Sequence, residues 1–308
     1  MTINPSPSSN TRTSNWLKMW TKGETWLAYL FILPGLVGFL TFFAIPAVRG
    51  LLFSFTNADM VSEAQWIGTQ NFENILKDEN FWHSLAVTVQ YVLLNIPLQT
   101  VLAIGLAVLM NRLTQNMLVR GVLVLPWLIP NVVVALLWLW MLDPQLGLIN
   151  QILTTLGMDR VPFLGNPSSA MASIAGINIW RHVGYTALLL FAGLQTIPKE
   201  MYEAAAIDGA TEVRTFFAVT LPLLRPVLVF VLITSIIGSF QIFDTIAITT
   251  KGGPVDATRV IYWYIYNFGF ERFKMGYGSA VAVILFLILG TITIIQLRLS
   301  RANTSDLD

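Results

Sequence analysis

The chain alternates long apolar runs with short polar stretches, and the runs have membrane-crossing length. A helix that crosses the hydrocarbon core needs roughly 20 mostly apolar residues. Trp26–Val48, Leu85–Met110 and Gly121–Leu142 meet that without a charge, and Gly278–Leu297 is a further run of the same kind. Ala170–Ile197 is interrupted by Arg181 and His182, and Val227–Thr250 by Asp244. The pattern predicts an all-α, polytopic membrane helical bundle with six spans. No segment has the alternating pattern, about 10 residues long, of a membrane barrel strand.

The flanks read differently. Met1–Asn15 is rich in Ser, Thr, Pro and Asn, which predicts disorder. Trp16, Leu17, Met19 and Trp20 then mix with Lys18 and Lys22, as in an amphipathic segment lying in the membrane interface. Residues 1–25 are therefore set apart from a six-span domain at 26–298 and a cytoplasmic tail at 299–308. Trp26–Val48 is too long for a signal-peptide core and lacks a small-residue cleavage pattern, so it reads as a retained first span.

Composition narrows the function. Apolar residues make up 55% and charged residues 11%, with mean hydropathy +0.66, as expected of an integral membrane protein. A net charge of +1 gives no reason to expect nucleic acid. There is no cysteine, hence no disulfide, thiol nucleophile or Cys metal site. With two histidines, no His-Glu-x-x-His and no paired aspartates in the spans, neither catalytic nor metal-binding residues are assigned. None of the six lysines follows a glycine, so the chain has no phosphate-cradling loop and binds no cofactor itself.

Orientation follows from Lys and Arg. With six spans, both termini and the loops Asn111–Arg120 and Gln195–Arg225 share one side, which carries ten basic residues against seven opposite. The other side holds Asp59, Glu63, Glu73, Asp78 and Glu79. This bias places both termini in the cytoplasm of a multi-pass inner-membrane protein.

The polar stretch at 198–222 has its own architecture. Pro198 suits the first turn of a helix running through Lys199–Ile207. Asp208-Gly209 should stop it, with Gly209 in the left-handed conformation. Thr211 can cap a second short helix with Val213, Phe216, Phe217 and Val219 as its apolar stripe, ended by Leu221-Pro222 and Arg225-Pro226. Two short helices meeting at a glycine form a cytoplasmic knob.

Within that knob, Glu203-Ala204-Ala205 is followed after three residues by Gly209, and after nine more by Val219, then Leu221-Pro222. This resembles the coupling loop of ATP-binding-cassette (ABC) import permeases, with Val219 where the family usually has Ile. The resemblance covers roughly residues 26–298. Trp180–Tyr185, Ala192–Gln195, Phe243-Asp244, Gly252–Pro254 and Met275–Ala280 are similar to the carbohydrate-import branch, represented by the maltose, lactose and glycerol-phosphate importers. It implies that a separate ATPase dimer binds ATP and magnesium and receives the loop. Glu203 would pair with a basic residue of its cleft, Gly209 would make the bend, and the apolar surface around Ala204, Ala205 and Phe216 would fill that cleft. A second related permease, an extracytoplasmic solute-binding protein and a sugar, glycoside or polyol are the other implied partners, besides lipid.

A substrate path needs polar residues facing inward at mid-membrane depth. Arg181 lies 11 residues into its run, or roughly 16 Å along a helix. A charge there costs on the order of 3 kcal/mol unless it finds partners. Asn178, Arg181 and Tyr185 share a helix face beside His182, and Ser235, Gly238, Ser239 and Ile242 form a stripe on the next run. The resemblance implies that positions matching Arg181, His182, Tyr185, Ser235, Gly238, Ser239 and Ile242 line the sugar site. Small residues on spans also serve close helix packing, which is the competing reading for Ser235 and Ser239. Asp244 falls opposite the Ser235 stripe and is expected to bond a neighbouring helix or loop. Gln90, Asn95, Gln99 and Pro97 on the second run can line the path or bond between helices, with packing the favoured reading, and Trp127, Trp138 and Trp140 are alternative stacking surfaces for a sugar. A secondary transporter or channel would also explain the spans and inward polar residues, but it leaves the coupling loop without a role.

Overall fold

The computed structural model describes residues 24–59, 61–113 and 116–300, so the segment expected to be disordered and interfacial, and the last residues of the tail, lie outside it. Among the described residues every extended element is helical. The chain forms two compact units, divided between Leu52 and Phe53.

The first unit holds α1 (Glu24–Phe39), which passes through a π turn at Leu40–Ala44 into α2 (Ile45–Phe53). It is apolar on all sides, and none of its most apolar window is buried. Such a helix suits lipid or another protein on every face.

The second unit begins with an irregular segment in which Phe55 stacks on Trp66 at 5.4 Å and Thr56 bridges to Trp66. Then come α3 (Gln70–Lys77) and α4 (Glu79–Leu113), a 35-residue helix. The apolar run Gly121–Leu142, expected as one span, is instead two helices. α5 (Met117–Leu128) and α6 (Asn131–Met141) meet at 90°. Pro130 causes the break: it lacks an N–H and forces the preceding residue out of the helical region, and Ile129 is extended at φ −74°, ψ 133°.

After α7 (Leu148–Thr155), the Asn166 side chain accepts from Ser168 N and Pro167 opens α8 (Pro167–Leu194), the run that carries Arg181. α4 and α8 form the centre of the unit. Ala103, Ala107 and Met110 of one share a buried cluster with Ala187, Leu190 and Leu194 of the other, small side chains letting the backbones approach. α5 lies still closer to α8. A Cβ on Gly184 would stand 1.8 Å from the carbonyl oxygen of Leu123.

Beyond the knob, α12 (Arg225–Phe240) ends before Gln241–Phe243, and α13 (Asp244–Thr249) continues the same run. Phe243 leaves helical geometry at φ −140°, ψ −60°, its ring packed among Tyr262, Trp263 and Tyr266. α14 (Ile261–Tyr266) and α15 (Met275–Ser300) complete the unit. From these two helices, Tyr264 and Tyr277 donate to the Asp78 carboxylate at 2.6 and 2.9 Å. Partial burial pushes that carboxyl up, but these hydroxyls and the Asn80 N–H outweigh it and hold the carboxyl below its ordinary value. Gly276 touches backbone too: its N–H donates to Ala58 O, and a Cβ would meet Thr56 O at 2.1 Å.

By length and apolarity, Trp26–Phe53, Glu79–Arg112, Arg225–Thr249 and Met275–Leu299 can cross a membrane, and the bent pair can supply one crossing more. α8 falls short of that apolarity. It is the expected span with the most buried residues, and Asn178, Arg181 and His182 on it are half-buried.

The close approach at Gly184 generates a test. Gly184→Ala should force α5 and α8 apart and cost about 1–3 kcal/mol, as overpacking does. Gly238→Ala, with nothing within 4 Å of its Cβ position, should leave the midpoint of thermal unfolding in detergent unchanged. Equal midpoints for the two variants would sink this account of the packing.

Candidate functional site

α4, α5, α8 and α12 line a half-open cavity of about 180 Å³. α12 contributes Ser235, Gly238 and Ser239 to its wall, and α8 contributes His182, Tyr185 and Asn178. These expected residues are brought together. Two others are not. Ile242 lies past the end of α12, buried in an apolar cluster with Val87, Tyr91 and Ile174. Arg181 points elsewhere.

The polar wall opposite α12 comes from α4. Asn95 donates to Ser239 Oγ at 3.1 Å, and Gln99 donates to Thr186 Oγ1 at 3.0 Å. These amides both bond between helices and line the cavity, so the choice between packing and path was a false one. Their four-residue spacing on an uncharged run was the available signal. Thr186 and Thr234 also line the cavity, and single threonines on spans carry no signal of this in the sequence. Trp127 stacks face to face on Tyr185, with ring centroids 4.3 Å apart and planes 7° from parallel. Both rings line the cavity, whereas Trp138 packs edge-on against Trp180 and Trp140 is exposed.

Arg181 closes the break between α5 and α6. Its Nη2 donates to the carbonyls of Trp127 and Ile129 at 3.1 and 3.0 Å, and its Nε also reaches Ile129 O. These carbonyls belong to the end of α5, where Pro130 prevents the helix from satisfying them. Nη1 contacts His182 Nε2 at 2.9 Å, while His182 Nδ1 contacts the Asn178 carbonyl. A carbonyl can only accept, so Nδ1 carries the proton and Nε2 accepts from the guanidinium. Asp244, as expected, bonds a neighbouring helix: it accepts from Asn131 at 2.7 Å, tying the start of α13 to that of α6.

At the other end of α8 lies the knob. α9 (Lys199–Ile207) ends in two bonds, Ala210 N–H to Ala205 O and Gly209 N–H to Ala206 O, with Gly209 at φ +72°. The Thr211 side chain accepts from Arg214 N and caps α10 (Glu212–Thr215). A π turn at Phe216–Thr220 then leads into α11 (Leu221–Leu223), so Leu221-Pro222 continues the helical path rather than ending it. Proline is accommodated because it occupies the first turn, where its N–H is not needed. Glu203 and Ala204 are exposed, but Ala205 faces inward and Phe216 is half-buried against Phe217. The apolar surface presented outward is instead Ile207, Val213 and Phe217, exposed by 87, 68 and 62%. Arg112 at the end of α4 pairs with Glu212 at 2.6 Å, and Gln195 donates to Asn111.

Residues 99–304 match the family described as binding-protein-dependent transport system inner membrane component. This chain belongs to that family. The trehalose/maltose transport system permease protein MalF of Thermococcus litoralis is 36% identical over 281 residues, covering 90% of this chain and 95% of that protein. The sn-glycerol-3-phosphate transport system permease protein UgpA of Yersinia pestis is 35% identical over 277 residues, covering 89% and 94%. Among solved structures, a bacterial ABC transporter involved in import of the acidic polysaccharide alginate superposes with a TM-score of 0.82 at 26% identity. The match covers 92% of this chain and 98% of that one. The same kind of transporter in complex with an alginate pentasaccharide-bound periplasmic protein superposes at 0.81 with 25% identity, covering 94% and 98%. The protein is thus a multi-pass membrane permease subunit of an ABC importer, and a secondary transporter or channel is not favoured.

Arg181 can be tested apart from transport. Arg181→Gln cannot reach both carbonyls and leaves at least one buried acceptor unpaired, a loss of about 1–3 kcal/mol. The permease should unfold at a lower temperature, and Trp127 fluorescence should shift as its stack on Tyr185 loosens. An unchanged midpoint and spectrum would show that the guanidinium does not hold the break.

Proposed function

We propose that this permease forms half of the translocation pathway of an ATP-driven importer for a sugar, glycoside or polyol. A solute-binding protein delivers the cargo on the extracytoplasmic side, and a second, related permease completes the path. A dimeric ATP-binding-cassette ATPase, which binds the ATP and magnesium, docks on the knob. Both termini are cytoplasmic.

The observation that carries this reading is the pairing of a polar mid-bundle cavity with an exposed knob that follows the end of α8, one of the cavity's helices. Thr234 and Gly238, although on the cavity wall, are exposed in the single chain, which suits a path shared with a second subunit. The knob exposes Ile207, Val213 and Phe217 next to the Glu203 carboxylate. Large apolar groups in a polar loop mark a protein contact. The named cargoes of the relatives, trehalose/maltose and sn-glycerol-3-phosphate, favour the carbohydrate and polyol class.

Coupling is checked by uptake in vesicles holding the assembled importer. Gly209 has open space around its Cβ position, so Gly209→Val acts only through its positive φ, at about 1–2 kcal/mol. It should misalign the knob and lower uptake at least tenfold while insertion persists. Glu203→Lys should do the same by charge reversal. Normal uptake by both variants would remove the knob from the mechanism.

Orientation is checked by single cysteines, since the chain has none of its own. Cysteines at Ser8, Gln115, Thr211 and Thr304 should react only from the cytoplasm. Those at Glu63, Asn166 and Asp256 should react only from outside. Reversal of Thr211 and Asp256 would overturn the orientation.

A further inference from the structure

The starts of α4 and α15 lie together, joined through Asp78, at the end of the second unit away from the knob. There Asn80, Arg259, Tyr264, Asn267, Phe268 and Arg272 line a polar cavity of about 80 Å³. It shares no residue with the cavity between α4, α5, α8 and α12.

Two guanidiniums in this cavity have donors to spare. Arg259 Nη1 pairs with Asp256 at 3.1 Å and Nη2 donates to Asn80 at 2.8 Å, while Nε is buried without a partner. An unpaired buried N–H costs free energy that an acceptor entering the cavity would recover. The Arg272 guanidinium lies over the Phe268 ring, 4.5 Å from its centroid. Among the described residues it forms no ion pair and no side-chain hydrogen bond. The acids close by are already engaged: Asp256 with Arg259, Asp78 with two tyrosines, and Glu271 with Asn267. What the cavity offers is N–H donors on planar cations, the arrangement that binds phosphate oxygens.

Its surroundings are those of a membrane interface. Trp82, Phe270 and Phe273 are exposed beside Arg272 and Lys274, and the apolar run of α15 begins directly after them. Aromatic rings mixed with basic side chains at the end of a span mark the headgroup layer. Two residues before Arg272, Phe270 lines a half-open apolar groove of about 280 Å³ with Tyr262, Tyr266 and Phe286. A soluble oxyanion has no use for that groove, whereas an acyl chain does. We propose that the cavity holds the phosphate of an anionic phospholipid from the leaflet opposite the knob. Arg259 Nε and the Arg272 guanidinium donate to the phosphate oxygens, and Asn80 holds Arg259 in place. The lipid so bound links the start of α4 to the turns before α14 and α15. Arg272, with no carboxylate partner, favours a headgroup of net negative charge over a zwitterion.

The test uses the assembled importer in detergent, with dioleoylphosphatidylglycerol and dioleoylphosphatidylcholine as probes and native mass spectrometry to count the lipid retained. The wild type should hold the first about tenfold more tightly than the second, and Arg272→Gln should lose that margin, the size expected of one bond to a charged group. Arg272→Lys keeps the charge without the fork and should fall between. Arg272 is exposed, so both variants should keep the unfolding midpoint of the lipid-free protein. Arg160→Gln, an exposed basic residue outside the cavity, should change nothing. Other lipid sites on the complex count equally in every variant, so the differences read this cavity alone. Equal retention of the two lipids by the wild type, or full retention by Arg272→Gln, would overturn the proposal. Release of the lipid by saturating inorganic phosphate would overturn it in favour of a soluble oxyanion. Release by added solute-binding protein would overturn it in favour of an acidic protein contact. Uptake is no part of the readout, so none of these outcomes bears on the pathway reading.

Discussion

A helix interrupted at membrane depth leaves carbonyl groups that neither water nor lipid can satisfy. Here Pro130 makes the interruption and the Arg181 guanidinium repairs it, at Trp127 O and Ile129 O. Much of the bundle follows from this. The guanidinium can reach only if α5 lies tight against α8, which requires glycine at 184 because Leu123 O occupies the place of a side chain. With α5 held there, the Trp127 ring falls on Tyr185. The freed direction of α6 brings Asn131 to Asp244 and so fixes the start of α13. A charge that hydropathy marks as an intrusion is therefore a structural member. Its desolvation is offset by several charge-assisted bonds.

How much of this could be read from the sequence depends on how local each determinant is. The knob was legible in detail. Pro198, Gly209 and Thr211 act on their own backbone, and each does what its position in the chain requires. The same locality misleads at Ala205, which is buried rather than presented outward, because burial is set by tertiary packing and not by position along the helix. The bent pair was missed because a hydropathy window sums apolarity and is blind to direction. Pro130 signals a break, but whether a break is tolerable depends on Arg181, 52 positions beyond Ile129. The cavity was half legible. Helical spacing put Ser235, Gly238 and Ser239 on one face and Tyr185 beside His182, and these meet. Spacing could not say that Arg181 rotates away from its own face toward α5. Nor could it say that α12 stops short of placing Ile242 in the wall.

The family strings acquire physical content from the same contacts. In Trp180–Tyr185, Gly184 admits α5, Arg181 caps it, and Trp180 meets Trp138 edge-on. In Ala192–Gln195, Gly193 leaves room for Val227 and Leu224, so α8 and the start of α12 stay in contact just before the knob. In Met275–Ala280, Gly276 receives the backbone at Thr56–Ala58, and Tyr277 joins Tyr264 on Asp78. These positions hold the frame rather than the cargo. A chain can keep them all and still change what its cavity accepts.

That separation bears on how a knob and a cavity can communicate. Thr186 on the cavity wall and Pro198 at the start of the knob are 12 residues apart, roughly 18 Å if helical throughout. α8 runs unbroken to Leu194 across most of that distance, buried against α4. α4 returns to the knob independently, through Arg112 to Glu212 and Asn111 to Gln195. The two helices whose side chains cross-link over the cavity at Gln99 and Thr186 are thus cross-linked again at the knob. The knob is therefore tied to both helices of the pair, and the pair is tied to α12 by the Asn95–Ser239 bond on the cavity wall. That bond joins uncharged groups, so it can be exchanged for cargo hydroxyls without stranding a buried charge.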